Sequence, residues 1–134
     1  MAFKYSAGIG AVGSYQVSGK PWITGSTLPA NAEHQITFPS VAKAVTIINN
    51  EPTNDSAADL RVHFNSTSSA GRVVGGNHFI TLDDRRDVLT ITCKCKEIYL
   101  SNPGANDSAY QVLVELTGIS ANEMLTLTGS GLTD

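Results

Sequence analysis

Three stretches of this sequence alternate apolar and polar residues with a period of two. ADLRVHFN sets Leu60, Val62 and Phe64 against Arg61 and His63. AYQVLVEL interleaves Tyr110, Val112 and Val114 with Gln111, Leu113 and Glu115, and VLTITCKCK sets Leu89, Ile91, Cys93 and Cys95 against Thr90, Thr92, Lys94 and Lys96. Successive side chains of a strand point to opposite faces, so this period marks half-buried strands with one face on a core. HQITF and NHFITL are shorter examples, and AKAVTIINN is a β-branched run of strand length. Between these runs lie NNEPTND, NSTSSAG, VGGN, DDRRD, SNPGAND and TGISANE, whose Gly, Pro, Asn, Asp and Ser residues turn the chain by positive φ, fixed φ or side chain–backbone hydrogen bonds. No window sustains a helical stripe; Ile119 to Leu125 supports one turn, with Ser120 as its cap. Eight or nine short strands without helices predict an all-β chain, an antiparallel β-sandwich or jelly roll of about eight strands.

One local conflict refines this. Leu89, Ile91, Cys93 and Cys95 share the odd register, whereas Ile98 and Leu100 fall on the even one. A one-residue slip would turn every side chain to the wrong face, so a bulge, a bend or a crossing between sheets is expected near Lys96–Glu97. Asn-Asp-Ser-Ala occurs at 54–57 and again at 106–109, each shortly after a proline, but the flanks differ. Convergent turn chemistry explains it better than an internal repeat.

With 134 residues the chain is long enough for one domain with its own core. The net charge is −3 and the nine Lys and Arg are dispersed, which disfavours a nucleic-acid partner. The longest apolar-leaning run, Val41 to Ile48, is interrupted by Lys43 and falls far short of a spanning helix, so no membrane partner is expected. The N-terminal MAFKYSAGIGAVGS does not read as a secretory signal. Cys93 and Cys95 sit two apart on one strand face, where a bridge would distort an extended backbone. Free core-facing thiols suit a reducing compartment, so the sequons at Asn54, Asn65 and Asn106 are expected to carry no sugar.

The residues that bear chemistry are read as structural. His34, His63 and His78 stand on separate strands, and Cys-x-Cys has no partner pair, so no metal site is expected. His63 falls on the polar side of its strand and needs no further account. No nucleophile motif such as G-x-S-x-G is present, and Lys94 and Lys96 point away from the cysteines. Asp83, Asp84 and Asp87 surround Arg85 and Arg86 in a run read as a solvated hairpin turn, with calcium or sugar-cleaving carboxylates as the alternatives. Gly75 and Gly76 precede no helix and read as a turn. No catalytic residue and no cofactor is expected; the chain does not read as an enzyme.

Residues 1–30 differ from the remainder. They hold five of the twelve glycines and three of the five Tyr and Trp residues, namely Tyr5, Tyr15 and Trp22. Lys20 precedes Pro21 and is held extended, and Pro21 cannot donate to a central ladder. Residues 1–30 are therefore read as an extended arm on a β-sandwich of residues 31–134. Tyr5, Tyr15, Lys20 and Trp22 are its expected contacts to another polypeptide, since large aromatic rings are typical interface anchors. The competing reading makes YQVSGKPWITGS the first strand pair of the sandwich, with Val17 and Ile23 facing inward.

The segments GSYQVSGKPWITGS, KCKEIYLSN and LTGSGLTD resemble parts of small virion structural proteins of marine tailed bacteriophages. The resemblance implies a β-sandwich present in many copies on the particle, as a capsid decoration or cement subunit, or as a tail or head-neck component. It implies assembly in the host cytoplasm, the major capsid protein or another virion protein as partner, and a homo-oligomer, favourably a trimer. A carbohydrate-binding module is the reading from a different class, and it would need Trp22, Tyr99 or Tyr110 as a solvent-facing platform.

Overall fold

The computed structural model describes residues 20–53, 58–67, 77–127 and 132. Seven strands appear among them: β1 (Lys20–Leu28), β2 (Ala32–Asn49), β3 (Leu60–His63), β4 (Ile80–Leu82), β5 (Val88–Ile91), β6 (Cys95–Asn102) and β7 (Ser108–Ser120). A single 3₁₀ turn at Ala121–Glu123 follows β7, with Ser120 at its N-cap position but without a side-chain cap bond. All pairings are antiparallel. No helix among the described residues is long and apolar enough to cross a membrane.

β2 organises the architecture. Its first half, Ala32 to Thr37, pairs with β6, whereas Ala44 to Asn49 lie between β7 on one edge and β5 on the other. Between the halves the register shifts: Thr37 faces Glu97, but the next partner on β6, Cys95, faces Ala42. A second shift, against β7, lies between Ala42 and Ala44. Pro39 sits inside this irregular stretch, where the missing N–H costs no ladder bond. The extra residues bend the strand. They also move the buried set from even positions (Ile36, Phe38) to odd ones (Val45, Ile47, Asn49).

The bend turns one continuous sheet into two facing leaves. One holds β4, β3, β6 and the start of β2; the other holds β1, β7, the end of β2, and β5. Two contacts show that their inner faces meet. Trp22 on β1 packs edge-on against Phe38 of β2 at 5.8 Å, and His34 of β2 bonds the Tyr110 hydroxyl of β7 at 2.9 Å. Ile36, Phe38, Leu60, Ile98 and Leu100 from one leaf and Leu28, Val45, Val112, Val114 and Leu116 from the other form one core. The molecule is an all-β antiparallel sandwich.

Several local readings change. HQITF and AKAVTIINN, read as separate strands, are the two halves of β2. TGISANE is less of a turn than its composition suggests, because β7 continues to Ser120. The expected register break does fall opposite Lys96, and the chain also leaves its sheet edge at Thr92–Lys94, between β5 and β6. The DDRRD run closes a turn, with Asp87 N–H on the Asp84 carbonyl at 3.0 Å and Arg86 at φ 72°. It is not a hairpin, since β4 and β5 belong to different leaves.

Part of the stretch expected as an arm over 1–30 is a strand. Lys20 to Leu28 pair residue for residue with β7, so this stretch belongs to the sandwich; residues 1–19 lie outside the described residues. At the end of β1 the chain turns through Asn31, whose φ of 58° suits a side chain that tolerates the left-handed region.

Asn102 fastens this end of the sandwich. It is 1% exposed, and its amide group donates to the carbonyls of Leu28 (3.2 Å), Pro29 (3.4 Å) and Asn106 (2.7 Å). Its Oδ1 accepts from the N–H groups of Asp59 (3.1 Å) and Gly104 (2.9 Å). One side chain thus ties β1, the approach to β3 and the β6–β7 loop. Asn102→Ala should lower stability by about 3 kcal/mol, because buried backbone groups lose their partners. Urea unfolding should show a lower midpoint with an unchanged slope.

Candidate functional site

The outer face of the β2–β6–β3 leaf is polar because alternation sends every second residue away from the core. In register order, Glu33 lies opposite Ser101 and Ser101 opposite Arg61; in the next row, Gln35 lies opposite Tyr99 and Tyr99 opposite His63. An ordinary face of this kind would be solvated. Here the chain following β3 folds back over it. The Glu33 carboxylate accepts the Ser66 hydroxyl and the Thr67 N–H, both at 2.9 Å, and so holds the returning loop down.

The consequence falls on His63. Alternation puts it on the polar side of its strand, yet it is 1% exposed. Alternation assigned the correct face but could not foresee the loop that covers it. The Tyr99 ring stacks on the imidazole, with centroids 6.0 Å apart and planes 12° from parallel. His63 Nδ1 lies 2.6 Å from the Asn65 carbonyl oxygen. A carbonyl only accepts, so Nδ1 carries the proton and, in the neutral ring, Nε2 is the acceptor. Ser101 Oγ, 2.9 Å from Nε2, therefore donates its hydroxyl proton to it. Glu33 Oε2 stands 3.9 Å from the same nitrogen.

Burial holds the imidazole below its ordinary pKa of 6.5, against the opposing pull of the Asn65 hydrogen bond and of Glu33. Beside this cluster opens a pocket of about 190 Å³, lined by Glu33, Arg61, Thr67, Ser101 and Asn102 among others. The Arg61 guanidinium lies 4.2 Å from the Phe79 ring centroid, a cation–π contact that fixes its position beside β4. A hydroxyl, an oriented neutral imidazole, a carboxylate and a cation are thus assembled within three neighbouring strands.

The residues singled out for interfaces lie elsewhere. Lys20 is exposed at the start of β1, and Trp22 is half-buried on the inner side of that strand, against Phe38. Tyr5 and Tyr15 lie outside the described residues, as does Val17. Ile23, the inward-facing partner in the competing reading of this stretch, is instead 73% exposed. The rings named for a sugar platform do not share a face: Tyr110 is 5% exposed in the core, Trp22 faces Phe38, and Tyr99 lies half-buried on the outer face of the β2–β6–β3 leaf.

Cys93 and Cys95 are free thiols, the second of them fully buried. The Cys95 S–H donated to Cys93 holds the Cys93 thiol down to about 7, and the same contact, with burial, pushes Cys95 up. Carboxylate oxygens of Asp83, Asp84 and Asp87 come within 4.8 Å of one another, with Asp84 N–H on Asp87 Oδ2 at 3.0 Å. These acids stabilise their own turn. Gly75 and Gly76 and the first Asn-Asp-Ser-Ala lie outside the described residues.

No family model and no curated protein matches this sequence. Among solved structures, the Yersinia pseudotuberculosis-derived mitogen is similar to it, at 14% identity and a TM-score of 0.43, over 81% of this chain and 97% of that one.

The buried imidazole has a measurable signature. In the unfolded chain His63 takes up a proton near its ordinary value, whereas in the folded protein it does so only at lower pH. The unfolded state therefore binds more protons below about pH 6.5, and stability falls as pH drops through that value toward the folded pKa. His63→Gln, which keeps a donor and an acceptor, should flatten this part of the stability–pH curve measured by urea unfolding.

Proposed function

We propose that the protein is a structural subunit of a phage virion, a capsid decoration or cement protein that associates with copies of itself and with the shell. One observation carries the self-association: the outer face of the β1–β7–β2–β5 leaf carries a row of aliphatic side chains among its polar ones. Ile23 of β1 lies opposite Leu113 of β7. Leu113 faces Thr46 of β2, two residues from Ile48, and Ile48 lies opposite Val88 of β5. Such diagonal neighbours remain within reach of one another.

The result is a stripe, Ile23–Leu113–Ile48–Val88, running obliquely across four strands. Ile23, Leu113 and Val88 are 73%, 39% and 57% exposed. Scattered surface aliphatics are ordinary, but a contiguous row marks a contact surface. Thr46 and Thr90, joined through their hydroxyls at 3.2 Å, flank the row with uncharged groups. Next to it, β1 is paired along one edge only among the described residues, an arrangement that invites another chain. Lys20 and Trp22 stand on that same edge strand.

An apolar stripe beside an open strand edge is self-compatible: a second copy brings the same stripe and the same backbone donors and acceptors. The virion context comes from the resemblance carried by GSYQVSGKPWITGS, KCKEIYLSN and LTGSGLTD. In that setting the subunit is made in the host cytoplasm, sits in the virion as a trimer, and meets the major capsid protein or another virion protein.

Light scattering of the purified chain, with cryo-EM of the particle, tests the reading. The wild type should be trimeric. Ile23→Asp with Leu113→Asp should yield monomers with an unchanged urea midpoint and should leave particles undecorated. A wild type that stays monomeric at all concentrations, or a double variant that occupies the particle normally, would overturn it.

A further inference from the structure

The cluster of Glu33, Arg61, His63 and Ser101 is unrelated to the apolar stripe, which lies on the other leaf, and it contains the parts of a nucleophilic centre. Activation of a serine needs a base in hydrogen-bond contact with the hydroxyl and a third group that fixes the base. Ser101 Oγ donates to His63 Nε2 at 2.9 Å, and the Asn65 carbonyl holds Nδ1–H at 2.6 Å, so the ring is locked in the tautomer that can accept the serine proton. We infer that Ser101 is a nucleophile toward small carboxylic esters, with His63 as its general base.

The placement favours this over a merely satisfied core histidine. Ser101, half-buried, lines the pocket, while His63 stands behind it and does not. A substrate entering the pocket meets the hydroxyl first, with the base already engaged on its far side. In a purely structural pair either group could face inward. Arg61, in register with Ser101 on the adjoining strand, also lines the pocket, while its guanidinium rests over the Phe79 ring. Asn102 lines it too, but its amide is committed to five backbone groups. About 190 Å³ suits an acyl group of a few carbons.

The chemistry balances without a cofactor. Ser101 Oγ bonds to the acyl carbon while its proton passes to His63 Nε2. Collapse of the tetrahedral intermediate breaks the carbon–oxygen bond to the alcohol, which leaves with the proton returned by the imidazolium. Water then attacks the acyl-serine, giving its proton to His63; the collapse releases a carboxylic acid and restores the serine hydroxyl. Glu33 Oε2, 3.9 Å from Nε2, stabilises the transient imidazolium. The groups facing the ring are Glu33, Arg61 and Tyr99, from all three strands packed around it.

The full-length chain incubated with p-nitrophenyl acetate, followed by intact-mass and peptide mass spectrometry, tests the assignment. One acetyl group should appear on Ser101, with p-nitrophenolate release. Ser101→Ala should remove the label and reduce release about 100-fold or more, and His63→Gln should do the same while leaving Ser101 in place. In the wild type, the acylation rate should rise with pH to a plateau whose midpoint lies below 6.5, which a structural histidine would not impose and which needs no variant to fold. Acetylation confined to lysines or Cys93, a Ser101 label formed equally fast in His63→Gln, or a rate without that midpoint would overturn the inference.

Discussion

The bend in β2 is the constraint from which the architecture follows. Two leaves can share one strand only if that strand presents its apolar side chains to the core on both halves of its path. A regular strand passing from one leaf to the other would carry its second half in the wrong register. The extra residues between Thr37 and Ala42, with the second shift at Lys43, reset the alternation. Ile36 and Phe38 then face the same interior as Val45 and Ile47. Phe38 stands at the bend itself, and its contact with Trp22 closes the sandwich where backbone pairing between the leaves is interrupted. Aromatic pairs of this edge-on kind add about 1 kcal/mol beyond the area they bury.

Polar groups complete what the apolar core begins. Asn102 and Asn49 are both nearly inaccessible, and each ties segments that no strand pairing connects. Asn49 donates to the Leu82 carbonyl at 2.7 Å and accepts from the Glu51 N–H, while its backbone bonds Arg86 and Asp87. The crossing from β4 to β5 is therefore fastened to the end of β2. Buried amides with every partner supplied specify one arrangement of loops, where apolar packing alone would accept several.

Much of this was legible in the sequence, for reasons that can be named. Leu60, Val62, Tyr110, Val112 and Val114 lie inward because period two is a local property of a strand. The change of parity after Cys95 located a real irregularity, since buried residues must answer to one core. What escaped was everything that depends on a distant segment. Pro39 separated two apparent strands because a local reading cannot see that the partner strand tolerates a bulge there. Lys20 to Leu28 looked like an arm because glycine and proline mask a strand whose partner lies near the other end of the chain. The burial of His63 left no local trace because the covering loop is held by Glu33, thirty residues upstream, and neither residue signals the other in the sequence. Ser101 drew no attention at all, being one serine among many until β6 set it beside β3.

The pairing of β1 with β7 has a consequence for biosynthesis. Lys20 waits for Leu116, and Leu28 for Ser108, so β1 finds its ladder only when most of the chain has left the ribosome. Loop closure over that span is slow relative to local hairpins. Until it happens, Trp22 remains uncovered on a nascent chain, and polysomes crowded with the same message would bring such segments close together.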